Sequence, residues 1–168
     1  MIRTIVLSSL LLLGCSYVQT TWLGAIAVLG VVPDLALVAL IWISYKNGLV
    51  EGPVTGFLSG FAEDFLSAAP LGFNAFVKTF VATCAGFLHG VFFIDRIILP
   101  FALGAVGTIA KALAAGILSF IFAGKVQGYN LLDRVFWIEA AYNGVAAPIV
   151  FLILSPLKRV LMTERGRE

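Results

Sequence analysis

Six long apolar runs, separated by short polar breaks, dominate this chain and leave few folds open to it. A bilayer core takes about 20 apolar residues per helix, and backbone polar groups in lipid must be paired within a helix or a closed barrel. Hydrophobic residues make up 61% of the chain and charged residues 12%, which leaves too little polar surface for a soluble globule. The sequence therefore predicts an all-α integral membrane protein, a single membrane domain over residues 1–168 built as a compact bundle of six transmembrane helices. The predicted helices cover approximately residues 4–19, 23–45, 49–66, 71–93, 98–122 and 135–156, and a basic tail covers 157–168.

Lysine and arginine residues in the short loops predict the orientation of the bundle, because cytoplasmic loops are enriched in them. An even number of helices places both termini on one side, and that side holds most of the basic residues, namely Arg3, Lys46, Arg96, Lys158, Arg159, Arg165 and Arg167. The other side holds Lys125 and Arg134. Both termini are therefore expected in the cytoplasm. The basic tail has two interpretations, a solvated end or a contact with anionic lipids of the inner leaflet.

The N-terminal segment "MIRTIVLSSLLLLGCS" also has the outline of a bacterial lipoprotein signal, with a basic start, an apolar stretch and a Gly-Cys pair. Cleavage before Cys15 would remove the first helix, and the five remaining helices would place the C-terminal basic residues on the wrong side. Leu13 is also unsuited to the position just before that pair. A first transmembrane helix is therefore the favoured interpretation.

Glycines recur at helical spacing inside the apolar runs. Gly48, Gly52, Gly56 and Gly60 stand four residues apart, and Asp64 follows after one more interval. Residues four apart share one helix face, and small residues on such a face let transmembrane helices approach closely. We expect the same packing role from a second set of glycines in the later helices, namely Gly86, Gly90, Gly104, Gly107 and Gly144.

Ionisable side chains interrupt the apolar runs at Asp34, Asp64, Lys78, Lys111 and Glu139. Because a charge in the membrane usually has a partner inside the bundle, we estimated which ones share a depth from the helical rise of about 1.5 Å per residue. That estimate groups Asp64, Lys78 and Glu139 toward the outer side, and it places Asp34 and Lys111 together near the middle. Two roles stay open for these groups, locking the helices together or lining an ion or proton pathway.

Pro33 leaves the continuity of the second helix open. Proline lacks a backbone N–H and pushes the preceding residue, here Val32, away from helical geometry. The helix is then either continuous or broken, and in the second case Asp34 lies in the first turn of a short inner half. A negative group is favourable at such a helix start.

Catalysis, cofactor binding and metal binding find little support in the sequence. The single histidine, His89, is predicted near the cytoplasmic end, whereas Ser59 lies in mid-membrane, too far away for a nucleophile and its base. Cys15 and Cys84 have no metal-ligand or disulfide spacing, and an apolar bundle lacks the basic surface that nucleic acid requires. Aromatic residues near the outer loop, among them Tyr129, Trp22 and Trp137, are placed as an interfacial belt would be.

Three segments in this order resemble the rod shape-determining membrane protein MreD family over residues 33–157. The segments are Pro33-Asp34 leading into "LALVALIWISYKNG", then "GPVTGFLSGFAEDFLSAAPLGFNAF", and finally "AAYNGVAAPIVFLILSPL". The family-motif positions in this chain are Pro33, Asp34, Asp64, Pro70, Gly72, Asn74, Asn143 and Pro148. Glu63, Lys78 and Lys111 match no family pattern.

The resemblance implies a non-enzymatic scaffold subunit of the bacterial cell-elongation complex in the cytoplasmic membrane. Such a subunit binds the single-span protein MreC and works with MreB, RodA and a penicillin-binding transpeptidase during side-wall peptidoglycan synthesis. The family is also similar to the six-helix substrate-capture subunits of energy-coupling-factor transporters. That similarity supplies an alternative function, the capture of a vitamin-like molecule in an outward cavity.

Overall fold

The computed structural model describes residues 1–27, 29–90, 97–122 and 128–162, and their regular structure is helical. The α-helices are α1 (Ile2–Trp22), α2 (Leu35–Leu66), α3 (Phe73–Phe87), α4 (Ile98–Ile121), α5 (Arg134–Leu154) and the short α6 (Lys158–Leu161). Two 3₁₀ turns, Leu23–Ile26 and Ser155–Leu157, follow α1 and α5.

Three helical stretches in the described parts of the chain are long and apolar enough to cross a membrane. They are Ile2–Ala25, Ile98–Ile121 and Arg134–Leu161, and Phe73–Phe87 is a shorter apolar helix. The prediction of an all-α membrane protein is therefore confirmed in its outline, whereas the count of six spanning helices is not.

The predicted second and third helices form one element, α2, which turns sharply at Gly48. The φ and ψ angles of Gly48 are 79° and −157°, a backbone conformation that side chains other than glycine rarely adopt. Residues on the two sides of this turn come into contact, since a Cβ added to Gly52 would lie 2.7 Å from the Cα of Ser44. The first arm, residues 35–47, and the second arm, residues 49–66, therefore run in opposite directions.

The first arm of α2 begins later than the sequence predicted. Residues 23–45 were expected as one helix, continuous or broken, but α2 begins at Leu35 directly after Pro33 and Asp34. Residues 29–34 are not helical, and Leu29 has a positive φ of 52°. The broken arrangement is thus the one observed, because proline at this point provides no N–H for a preceding turn.

The other predicted boundaries agree with the structure within a few residues. The expected helices 4–19, 98–122 and 135–156 correspond to α1, α4 and α5. The helix expected over 71–93 ends at Phe87, and residues 91–93 lie outside the described part. Four basic residues used for the orientation also lie outside it, namely Arg96, Lys125, Arg165 and Arg167.

The first arm of α2 lies at the centre of the protein. Val38, Leu40 and Ile43 are each 0% exposed, in keeping with an unbroken apolar sequence that is buried on all sides. Leu12 of α1 and Ala82 of α3 belong to the same buried cluster. The remaining helices therefore surround this short central arm.

Candidate functional site

Lys111 of α4 forms a buried ionic cluster with two carboxylates from other elements. Its Nζ lies 2.6 Å from Oδ2 of Asp34 and 2.8 Å from Oε1 of Glu139. The three side chains are only 11–20% exposed. The cluster joins the start of α2 to α4 and α5, and it contains the predicted pair of Lys111 with Asp34.

The break before α2 positions Asp34 in this cluster. Asp34 is the N-cap residue of α2, and its Oδ1 accepts a hydrogen bond from the Leu37 N–H at 3.0 Å. Its own N–H donates to Oδ1 of Asn143 at 2.6 Å. The Nδ2 of Asn143 in turn donates to the Thr108 hydroxyl at 2.9 Å. Backbone groups at the helix start are thereby satisfied by side chains from α2 and α5.

Tyr129, in the loop before α5, packs against the ionic cluster. Its ring centroid lies 5.6 Å from Nζ of Lys111, a cation–π distance. Burial raises the pKa of the Tyr129 phenol, which therefore stays neutral at physiological pH. Tyr129 was expected in an interfacial belt, and its ring contacts Lys111 in the structure. Trp22 and Trp137 are 74% and 58% exposed.

The predicted grouping of Asp64, Lys78 and Glu139 is wrong. Glu139 pairs with Lys111, and Lys78 forms its ion pair with Glu63. The Glu63 carboxylate also accepts a hydrogen bond from the Ser16 hydroxyl of α1. The helical rise assigned Glu139 to a different depth from Lys111, its actual partner, and it carries no information on which way each side chain points around its helix. Adjacent residues such as Glu63 and Asp64 differ by about 100° in that direction.

Asp64 instead holds the start of α3. Its two carboxylate oxygens accept hydrogen bonds from the backbone N–H groups of Gly72 at 2.8 Å, Asn74 at 2.8 Å and Ala75 at 3.3 Å. Asp64 is 3% exposed, and Gly72 has a φ of 92° that suits glycine at this turn. Pro70 contributes a carbonyl that accepts from the Phe73 N–H. The densest block of motif residues therefore builds one capped turn.

We expect Asp64→Ala to lower the free energy of unfolding by about 2 kcal/mol, because three N–H groups at a helix start lose their acceptor. The loss should be independent of Lys78. Thermal unfolding in detergent of Asp64→Ala, Lys78→Met and the double variant should give additive effects, whereas Glu63→Gln and Lys78→Met should be coupled. Coupling between Asp64 and Lys78 would contradict the hydrogen bonds described above. Asp64→Asn, which keeps an acceptor oxygen, provides the conservative control.

Glycines at the interface of α2 and α3 lie directly against backbone. A Cβ at Gly60 would meet the carbonyl of Asn74 and lie 2.7 Å from the Cα of Ala75. At Gly56 it would lie 2.8 Å from the Lys78 carbonyl oxygen, and at Gly86 it would lie 3.0 Å from that of Gly48. Gly52 differs from this set because it faces Ser44 of the first arm.

The α4 glycines contact two neighbours. A Cβ at Gly104 would meet the carbonyl of Asn143 in α5, and one at Gly107 would meet the Ile41 side chain in α2. Gly144 of α5, which is followed one turn later by Pro148, faces the Phe101 ring at 3.0 Å. Gly90, predicted to pack, lies beyond the end of α3 with a φ of 74°, and among the described residues no atom lies within 4 Å of a Cβ added to it.

The Ser59 and His89 side chains are engaged separately. The Ser59 hydroxyl donates to the Gly56 carbonyl, and Nδ1 of His89 lies 2.7 Å from the Tyr45 carbonyl oxygen. A search of the described residues finds no group of three or more His, Cys, Asp or Glu side chains placed to hold a metal ion.

In the described part of the chain, membrane-length helices pack through glycines and enclose ion pairs, which indicates a helical membrane protein with paired charges in its interior. A family model described as rod shape-determining protein MreD matches residues 1–157. The chain therefore belongs to the MreD family of rod-shape-determining membrane proteins, which is not a known enzyme family.

Searches of curated proteins and of solved structures return no match. The predicted likeness to the substrate-capture subunits of energy-coupling-factor transporters, and the alternative function drawn from it, are not supported by these comparisons.

Proposed function

We propose that this protein is a non-enzymatic scaffold of the bacterial cell-elongation complex that binds MreC in the cytoplasmic membrane. The observation that carries the proposal is the way in which Lys111, Asp34 and Glu139 hold three helical elements together. Each charge of this cluster is paired with another protein group. Such an arrangement favours a fixed bundle that presents its outer surface to partners.

The proposed topology has six crossings, namely α1, the two arms of α2, α3, α4 and α5. The first arm of 13 residues has a length of about 20 Å, less than the bilayer core of about 30 Å. The non-helical residues 29–34 complete that crossing, and Val31 and Pro33 within them are buried. Irregular backbone is tolerated at membrane depth where protein covers it.

Both termini lie in the cytoplasm under this proposal. The Asn47 Nδ2 donates to the Leu161 carbonyl at 2.9 Å, and α6 contacts α1. These contacts gather Arg3, Lys46 and the basic residues of α6 at one end of the bundle, as the positive-inside rule requires of a cytoplasmic face.

Family membership supports the proposed partners. MreC is the direct partner, and MreB, RodA and the penicillin-binding transpeptidase complete the assembly that the bundle supports. Apolar side chains exposed on the outside of the helices, such as Phe57, Phe61 and Phe65 of α2, lie in the lipid and are accessible to a transmembrane helix of MreC.

Co-purification tests the proposal. The tagged chain is expressed with the MreC of its host, extracted in mild detergent, and its partners are identified and quantified by mass spectrometry. We expect MreC in near-equal amount. A folded, monodisperse sample that carries no MreC, or that carries an ATPase pair and a helical coupling subunit, would overturn the proposed function.

A further inference from the structure

A row of polar side chains runs along the second arm of α2 at intervals of four residues. It consists of Glu51, Thr55, Ser59 and Glu63. Thr55 and Ser59 are 1% and 0% exposed, and Glu51 is 8% exposed. Residues four apart lie on one helix face, so this row is turned toward protein. Its twelve-residue span corresponds to about 18 Å along the helix.

A second polar row lies on α1. Thr4 and Ser8 are buried, and Ser16 lies on the same face two turns beyond Ser8. The Ser16 hydroxyl donates to the Glu63 carboxylate, which also pairs with Lys78. This contact joins the far end of the α1 row to the far end of the α2 row.

The two rows are in register along their length. The Gly48 turn reverses α2, so its second arm runs in the same direction as α1. Both helices rise by the same distance per residue. Counting back eight residues from Ser16 and from Glu63 brings Ser8 level with Thr55, and counting back twelve brings Thr4 level with Glu51. We call the space between the two rows the polar seam.

Three hydroxyl groups at the middle of the polar seam are buried and have no hydrogen-bond partner among the described residues. They belong to Ser8, Ser44 and Thr55. Ser44 comes from the first arm of α2, and its Oγ lies over Gly52, where an added Cβ would approach it to 2.5 Å. Gly52 directly follows Glu51 and lies in the helix turn between Glu51 and Thr55. An unsatisfied buried hydroxyl is strongly unfavourable, and a buried water molecule is the usual partner where several polar groups converge.

We propose that water enters the polar seam from the end of the bundle that carries Met1 and Glu51 and reaches these three hydroxyl groups. The apolar Leu12, which is 0% exposed and lies between Ser8 and Ser16 on α1, marks its inner limit. Each hydroxyl in the seam can donate one hydrogen bond and accept others, so Ser8, Ser44 and Thr55 together supply the two to four partners that a water molecule needs. The Glu51 carboxylate lies at the entrance. This inlet hydrates the hydroxyl groups of the seam, and it does not depend on binding to MreC.

Cysteine accessibility tests the proposal. Cys15 and Cys84 are replaced by alanine, and single cysteines are introduced as Thr55→Cys and Ser8→Cys. Membrane fragments, in which the reagent can reach both faces, are treated with 2-aminoethyl methanethiosulfonate. This reagent requires a hydrated thiolate to react. We expect both cysteines to react at least about tenfold faster than a cysteine in a dry core, because burial in apolar surroundings suppresses thiolate formation.

Leu40→Cys supplies the matched control, since Leu40 is 0% exposed and lies in the apolar cluster around Leu12. Equal and slow reaction of Thr55→Cys and Leu40→Cys would overturn the hydrated seam. If a cysteine variant fails to fold, the thermal midpoint of the isosteric variant Thr55→Val distinguishes a hydrated seam from a dry one. A hydrated seam predicts a lower thermal midpoint for this variant, because its water loses a partner. A dry seam predicts an unchanged or higher midpoint, because an unsatisfied hydroxyl is removed.

Discussion

Lys111→Met should lower the free energy of unfolding by about 3 kcal/mol or more. The substitution removes the only cation within hydrogen-bond distance of Asp34 and Glu139 among the described residues and leaves two carboxylates together in a largely buried site. Removing one partner of a buried ion pair is strongly destabilising, because the remaining charge is left buried without an opposite charge. The measurement is the thermal midpoint of the purified protein in detergent.

Neutralising the carboxylates should restore most of that loss. In the triple variant Lys111→Met, Asp34→Asn and Glu139→Gln no charge is left in the cluster, and asparagine still caps the start of α2. Additive losses across the single and combined variants would show that the three groups do not form one electrostatic unit.

Gly60→Leu should prevent the bundle from assembling. The added side chain would point into the Asn74–Ala75 backbone, and neither helix can yield there without separating from its neighbour. Overpacked sites in a core lose about 1–3 kcal/mol or more, and contact with rigid backbone belongs at the upper end of that range. Size-exclusion chromatography in detergent should show aggregated protein instead of a single symmetric peak.

Gly116→Leu is the matched control for that experiment. Gly116 lies on the exposed face of α4, and no atom of the described part of the chain lies within 4 Å of a Cβ added to it. Leucine favours the helix over glycine by about 1 kcal/mol, so this variant should be as stable as the wild type or slightly more stable. Equal behaviour of Gly60→Leu and Gly116→Leu would contradict the packing described for α2 and α3.

The helical segments were largely predictable because each apolar run has a length and composition that only a helix can satisfy in lipid. The break between the predicted helices 23–45 and 49–66 coincides with the sharp turn at Gly48, although this glycine was itself counted with the packing ladder. Pro33 did give a usable signal, and the observed start of α2 at Leu35 follows from it. The number of crossings remains a proposal, because α2 is a reversed pair of arms and not two separate helices.

The charged contacts were predictable only in part. The helical rise gave comparable depths for Asp34 and Lys111, and they are paired in the structure. It also gave comparable depths for Lys78 and Asp64. Lys78 instead forms its ion pair with the neighbouring Glu63, because the Glu63 side chain points toward α1 and α3. Asp64 is close to the start of α3 because the connection between the helices is short. The direction in which a side chain points around its helix depends on how the helices pack together, and a single sequence does not specify that packing.

Cell shape in the native host reports directly on whether this protein supports rod-shaped growth. Depletion of this protein should convert rods into rounded cells, and expression of the wild type or of Gly116→Leu should restore rods. Gly60→Leu should fail to do so, because the scaffold does not assemble. Rods that persist unchanged after complete depletion would contradict the account of this protein as a scaffold for rod-shaped growth.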